Sequence, residues 1–152
     1  KLSVEENLKL VLQMTELTQS DQNEKLESLL TEFSIQHIRK SIGMTLSGGE
    51  RRRTEIARSL VMDPNFILLD EPFAGIDPIA VEEIQKIIHK LKTLGIGVLI
   101  TDHNVRETLA ITDRAYLLYE GKILKEGNVS ELRNDEEARR LYLGSTFSKG
   151  NN

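Results

Sequence analysis

Leu46-Ser47-Gly48-Gly49-Glu50-Arg51-Arg52-Arg53 is followed, one helix later, by Phe66-Ile67-Leu68-Leu69-Asp70-Glu71-Pro72. The first stretch opens a helix. Ser47 and Glu50 have the Ser-x-x-Glu spacing of a capping box, and Ile56, Ala57 and Leu60 extend an inward face over residues 48–61. An ordinary cap gains nothing from the paired glycines, which cost about 1 kcal/mol each against Ala. Their use is to bare the first amides, so that a phosphate can approach the helix N-terminus. The second stretch has the continuous apolar character expected of a strand buried on both faces. It delivers two carboxylates, Asp70 and Glu71, from its end, and Pro72 stops it.

Upstream, Ser3-Val4-Glu5-Glu6 is a second capping box, and Leu8, Val11 and Leu12 share a face, which predicts a helix over residues 4–17. Residues 18–21 read as a polar break with helix-cap residues. Leu26, Leu29, Leu30 and Phe33 then predict another amphipathic helix, and residues 41–46 a connection, so the first 62 residues read as all-helical. The pattern changes at Asp63-Pro64. After the strand at 66–69, Asp77-Pro78 starts a helix with Asp as N-cap; Val81, Ile84, Ile87, Ile88 and Leu91 line its buried face, and Gly95 ends it. Residues 98–101 predict a second buried strand and 104–110 a short helix. Residues 115–119 and 122–125 flank Glu120-Gly121 as a hairpin. Short helices near Ser130 and over 135–143 follow, with Gly144 as the stop and 145–152 as a loose polar tail.

Strand–helix–strand with a crossover helix implies parallel pairing in a doubly wound sheet. Ligands of such sheets sit beyond the carboxyl ends of the strands. The two predicted strands end in Asp70-Glu71 and Asp102-His103, which puts these acids and a histidine on one rim.

Composition narrows the function classes. With 24 acidic against 20 basic residues and a net charge of −4, the chain lacks the basic excess of a nucleic-acid binder. Arg51, Arg52 and Arg53 fan around about 200° of a helix, beside Glu50 and Glu55, and read as a solvated face. The absence of cysteine excludes a disulfide framework and a Cys-ligated metal site, and fits the cytoplasm. No apolar run approaches the roughly 20 residues needed to span a bilayer, and no signal peptide is visible. The chain contains no Gly-x-x-x-x-Gly-Lys-Ser/Thr phosphate loop; Gly121-Lys122 is followed by Ile123, which has no hydroxyl for a magnesium ion. It also opens on Lys1, inside a helical pattern. The expectation is part of an ATP-hydrolysing machine rather than a complete one.

The two strand-end acids have different expected tasks. Asp70 would hold magnesium through water, as the acid after an apolar strand does in phosphate-loop enzymes. Glu71 would act as general base on the water that attacks the terminal phosphate. His103 is expected to contact phosphate. Asp77 is an N-cap that can also serve a subunit contact. His37 and His89 lie in helical stretches without partners and read as surface or packing residues.

In this order and spacing the residues resemble the ABC transporter ATPase family. Leu46 to Glu50 is similar to the family's signature, Phe66 to Glu71 to the Walker B strand with its catalytic glutamate, Ala74-Gly75-Ile76-Asp77 to the D-loop, and His103 to the switch histidine. Residues 46–60, 66–78 and 97–109 are most similar in wording to the ATP-binding subunits that drive lipopolysaccharide export in Gram-negative bacteria. The resemblance implies a partial P-loop NTPase (ABC ATPase) fold of the α/β class: a helical subdomain followed by the second half of a doubly wound, mostly parallel sheet. It divides the chain into a helical subdomain (1–46), a signature helix and catalytic core (47–114), a C-terminal hairpin with helices (115–144) and a tail (145–152).

The resemblance further implies ATP and Mg2+ as cofactors. A second copy would complete the site, with Ser47, Gly48, Gly49 and Glu50 of one subunit capping the phosphate bound by the other and Asp77 at the dimer contact. Transmembrane permease subunits would dock on the helical subdomain. It implies no nucleic-acid partner, no direct membrane insertion, and a peripheral place on the cytoplasmic face of the inner membrane. The family's phosphate loop, adenine-stacking aromatic and Q-loop glutamine cannot be assigned here, so the chain alone is expected to be inactive. The alternatives are the ATPase of another ABC importer or exporter, such as the branched-chain amino acid type, and a non-transport ABC protein. Against the second, there is no long heptad run and only one ATPase unit. A catalytically dead regulatory domain would have no need of Glu71 and His103.

Overall fold

Both capping boxes of the helical region form as their spacing predicts. In the computed structural model, which describes residues 2–143, the Ser3 N–H donates to Glu6 Oε2 at 2.7 Å and the Glu6 N–H to Ser3 Oγ at 3.2 Å. The helix this starts, α1 (Val4–Leu12), buries Val4, Leu8 and Leu12. It is shorter than the predicted 4–17, because Met14 and Thr15 donate to the carbonyls three residues back and the Thr15 hydroxyl adds a second bond to Leu12 O. Thr18 caps α2 (Gln19–Glu32), so the residues read as a polar break are its cap and first turn. Two 3-10 turns, Gln36–Ile38 and Gly43–Thr45, carry the chain onward, with one bridge between Ser3 and Ile42. Helix α1 packs against α2 and α3, the latter spanning Gly48–Ser59. Leu8, Leu12, Leu30, Phe33 and Ile35 are almost wholly buried in this region. Arg39 ties it together from outside: its Nε meets Glu5 and its Nη2 meets Glu27, each at 2.8 Å.

The backbone divides into two units, Lys1–Thr101 and Asp102–Asn152. In the first, α3 runs into a 3-10 turn, Leu60–Met62, before β1 (Phe66–Asp70). Helix α4 (Pro78–Thr93) crosses over to β2 (Gly97–Thr101), and the two strands pair in parallel from Phe66↔Gly97 to Asp70↔Thr101. One expectation is corrected here. β1 is not buried on both faces: Ile67 and Leu69 are inside, while Phe66 and Leu68 are 54% and 72% exposed, and Leu99 opposite Leu68 is exposed with them. Side chains alternate across a pleated strand, so the face that carries Phe66, Leu68 and Leu99 is exposed while Ile67 and Leu69 point inward.

In the second unit, α5 (Val105–Leu109) precedes an antiparallel hairpin of β3 (Arg114–Tyr119) and β4 (Lys122–Asn128). Glu120 and Gly121 turn it with φ of 48° and 75°, the left-handed pair a tight hairpin requires. Asn128 caps α6 (Val129–Asn134), followed by a single turn, α7 (Glu136–Ala138), and the π-helical Arg139–Leu143. Leu109, Leu117, Leu132 and Ala138 form a small core. Among the described residues the strands make two separate pairs rather than one sheet, and no helix is long and apolar enough to cross a membrane. Gly144 and the predicted tail, 145–152, lie outside the described residues.

Candidate functional site

At the start of α3, the Ser47 N–H and hydroxyl both donate to Glu50 Oε2 at 2.8 Å, and the Glu50 N–H returns a bond to Ser47 Oγ at 3.3 Å. Donation by the Ser47 backbone and then its hydroxyl, with Arg53 adding positive charge, holds the Glu50 carboxyl below the usual carboxylate range. His37, read from sequence as partnerless, has its Nε2 3.8 Å from Glu50 Oε1.

The glycines have a structural use that the sequence reading denied them. A Cβ on Gly48 would lie 2.7 Å from Ile76 Cγ2 and 3.2 Å from the Gly75 carbonyl; one on Gly49 would lie 2.6 Å from Ala80 Cβ. The N-terminus of α3 therefore seats directly against Gly75-Ile76 and the first turn of α4. Asp77 caps that turn, accepting from the Ala80 N–H at 3.0 Å. Signature-like and D-loop-like segments are one packed corner.

The arginine run is also not a solvated face. Arg53 is 12% exposed and pairs with Glu83 on α4. Arg52 pairs with Glu55 at 3.0 Å and donates from Nη2 to the Glu71 carbonyl at 2.9 Å. Only Arg51 of the three is exposed. Helical spacing accounts for Arg52 with Glu55, but not for Arg53 with Glu83 or Arg52 with the Glu71 carbonyl, which lie in segments later in the chain. The one available signal for the corner was a glycine pair opening one helix and a small residue, Ala80, in the first turn of the next.

At the strand ends, the Thr101 hydroxyl donates to Asp70 Oδ1 and orients that carboxylate. Glu71 leaves β1 in a left-handed conformation, φ 45°. Its N–H extends the parallel ladder to Thr101 O at 2.7 Å, and its carbonyl accepts from Ala74 N–H at 3.2 Å as well as from Arg52. Such a conformation in a non-glycine residue costs about 1–3 kcal/mol and persists where its surroundings over-determine it. No group of three or more His, Cys, Asp or Glu able to hold a metal exists among the described residues. A single oriented carboxylate nonetheless fits magnesium, which keeps several waters and takes one or two protein carboxylates plus substrate phosphates.

His103 belongs to the second unit. There the buried Asp102 accepts from both the N–H and Nδ2 of Asn104 through Oδ1 at 2.7 Å, an Asx-turn. The His103 ring is 68% exposed, with Nδ1 3.9 Å from the same oxygen.

A family profile described as ABC transporter matches residues 1–74. A probable ABC transporter ATP-binding protein of Azorhizobium caulinodans is 57% identical, covering 96% of this chain and 52% of the relative. The lipopolysaccharide export system ATP-binding protein LptB of Haemophilus influenzae is 55% identical, covering 97% and 61%. Among solved structures, cbiO1 of Clostridium perfringens, part of the ABC transporter complex cbiONQ, superposes with a TM-score of 0.79 at 30% identity, over 91% of this chain and 55% of that one. The likeness bears out the partial nucleotide-binding fold expected from sequence. The chain spans between half and about three fifths of the length of these relatives.

Proposed function

Since the chain belongs to the ATP-binding proteins of ABC transporters, we propose that it carries the signature, Walker B, D-loop and switch-histidine half of an ATPase subunit that powers lipopolysaccharide export. The observation that carries this reading is the pair Asp70-Glu71 at the carboxyl end of β1 beside β2, with Thr101 bonding the Asp70 carboxylate and Arg52 the Glu71 carbonyl. Such ends are where ligands of open α/β sheets bind. The likeness to LptB supports the cargo. A second reading, another ABC cargo, is favoured by the relative of equal similarity that is described only as an ABC transporter ATP-binding protein.

In the whole protein, Glu71 accepts the proton of the attacking water as general base. Asp70 would hold Mg2+ through water, and that ion, when bound, would supply charge neutralisation on the ATP phosphates. His103 contacts the terminal phosphate. Ser47 and the Gly48 and Gly49 amides, at a helix N-terminus suited to anions, cap the phosphate held by a second copy of the subunit, while Asp77 lies at that dimer contact. For Ser47 to bind phosphate, its hydroxyl proton turns away from Glu50, to which it now donates. Residues 1–46 receive the permease subunits. In support, Leu10, Met14 and Met44 expose 54%, 75% and 76% of their surface in this region. The subunit works at the cytoplasmic face of the inner membrane.

Glu71→Gln in the full-length protein tests the reading: ATP binding persists and turnover is lost. Turnover at the parent rate would remove Glu71 from the role of base.

A further inference from the structure

Four non-glycine residues among those described have left-handed backbones: Ser34, Asp63, Glu71 and Glu120. Three of them end a helix or turn a hairpin, positions where such a conformation is routine. Glu71 is different. It follows directly on a strand, and its conformation sets the direction in which the carboxylate leaves the sheet. Two of its backbone bonds, to Thr101 O and from Ala74 N–H, come from the loop and the neighbouring strand. The third comes from α3, through Arg52 Nη2 at 2.9 Å.

The guanidinium is itself anchored. Its Nη1 meets Glu55 Oε2 at 3.0 Å, one turn along α3, and the side chain is 24% exposed. A planar, permanently charged fork held at one edge presents its other edge in a fixed direction, which a flexible ammonium does not. Arg52 thus joins the second turn of the signature-like helix to the carbonyl of the proposed base.

We propose that Arg52 is a positioning residue for Glu71: by holding the Glu71 carbonyl it fixes the left-handed backbone that aims the carboxylate, and it couples the placement of α3 to that aim. The inference rests on the reading of Glu71 as general base. Without Arg52 the carbonyl loses its tie to α3, and the strained φ can relax toward the ordinary β or α regions. The carboxylate then swings away from the attacking water, while no group proposed to touch nucleotide is lost.

The test is steady-state ATP hydrolysis by the full-length subunit, with Arg52→Ala, Arg52→Lys and Glu71→Gln compared with the parent and with a double variant, Arg52→Ala/Glu71→Gln. Misplacement of a reacting group by about 1 Å costs on the order of 100-fold, so Arg52→Ala is expected to lower kcat about 10- to 100-fold. KM for MgATP should stay near the parent value. Arg52→Lys, which keeps a charged donor within reach of the carbonyl, recovers part of the rate, and the double variant turns over no more slowly than Glu71→Gln alone.

Parent-like kcat in Arg52→Ala, beside an inactive Glu71→Gln, overturns the positioning role and leaves the base assignment standing. A raised KM with unchanged kcat also overturns it, by moving Arg52 to nucleotide binding. So does a loss of kcat matched by a lowered melting temperature that Arg52→Lys shares. If Glu71→Gln itself turns over at the parent rate, the base assignment fails, and this inference fails with it.

Discussion

Replacing Gly49 by Ala separates the packing role of the signature glycines from their proposed phosphate role. The added Cβ would lie 2.6 Å from Ala80 Cβ, against an optimal carbon–carbon separation of about 3.5–4.0 Å. The two helix ends must therefore part by about 1 Å, or α4 must shift on β2. Overpacking of this kind costs about 1–3 kcal/mol, and removing a helical glycine returns about 0.5–1 kcal/mol of backbone entropy. The net expectation is a loss of about 0–2.5 kcal/mol. For a protein of this size or larger, that lowers Tm by at most roughly 10 °C. Ala80→Gly alone costs about 1 kcal/mol in propensity and, since Ala80 is buried, about 0.8 kcal/mol for the lost methyl. The double variant Gly49→Ala/Ala80→Gly places the methyl from the other side of the same contact. It should be no less stable than Ala80→Gly alone, giving a favourable coupling of about 1–3 kcal/mol in a urea-unfolding cycle on the full-length protein. Additive losses would refute the close-packing argument, because then the new methyl never met Ala80.

Two further outcomes follow from the structure. Arg39 and then Lys9, beside Glu5, hold that carboxyl from 4.5 down to about 2. A carboxyl depressed on folding contributes stability above its unfolded pKa, and that contribution is lost as pH falls from about 4.5 to about 2. Arg39→Ala should therefore flatten the decline of the urea midpoint across this window and cost on the order of 1 kcal/mol at neutral pH, the scale of a screened surface pair; an unchanged slope refutes the assignment. For the 152-residue chain alone, isothermal titration with MgATP should show no measurable binding, because the phosphate loop supplies most direct phosphate contacts in this class of enzyme. Micromolar affinity would show that Asp70 and its neighbours suffice.

Much of this fold was legible in the chain. The Ser3 and Ser47 capping boxes, the Asp77 cap with Pro78 behind it, and the Glu120-Gly121 turn are local rules, satisfied within four residues of sequence. Helix ends were less legible. Residues 18–21 have the composition of a break and of a helix start alike, and α1 stops early through Thr15 bonding rather than through any breaker. The one-sided burial of β1 was invisible, because an apolar run reads the same whether one face or both are covered.

The sequence by itself determined the order of the chemistry: a capped glycine-rich helix, a strand ending in Asp70 and Glu71, a capped crossover helix, and a second strand running into Asp102-His103. Each is a short-range pattern, because backbone hydrogen bonding and side-chain periodicity act over a few residues. Only the tertiary structure decided that Gly48 and Gly49 admit Ile76 and Ala80, that Arg53 reaches Glu83, and that Arg52 holds Glu71. Those contacts join residues 19 to 31 positions apart, and their partners are set by how α3 packs against its neighbours. No local preference of an arginine or a glycine encodes which carbonyl or methyl it will meet.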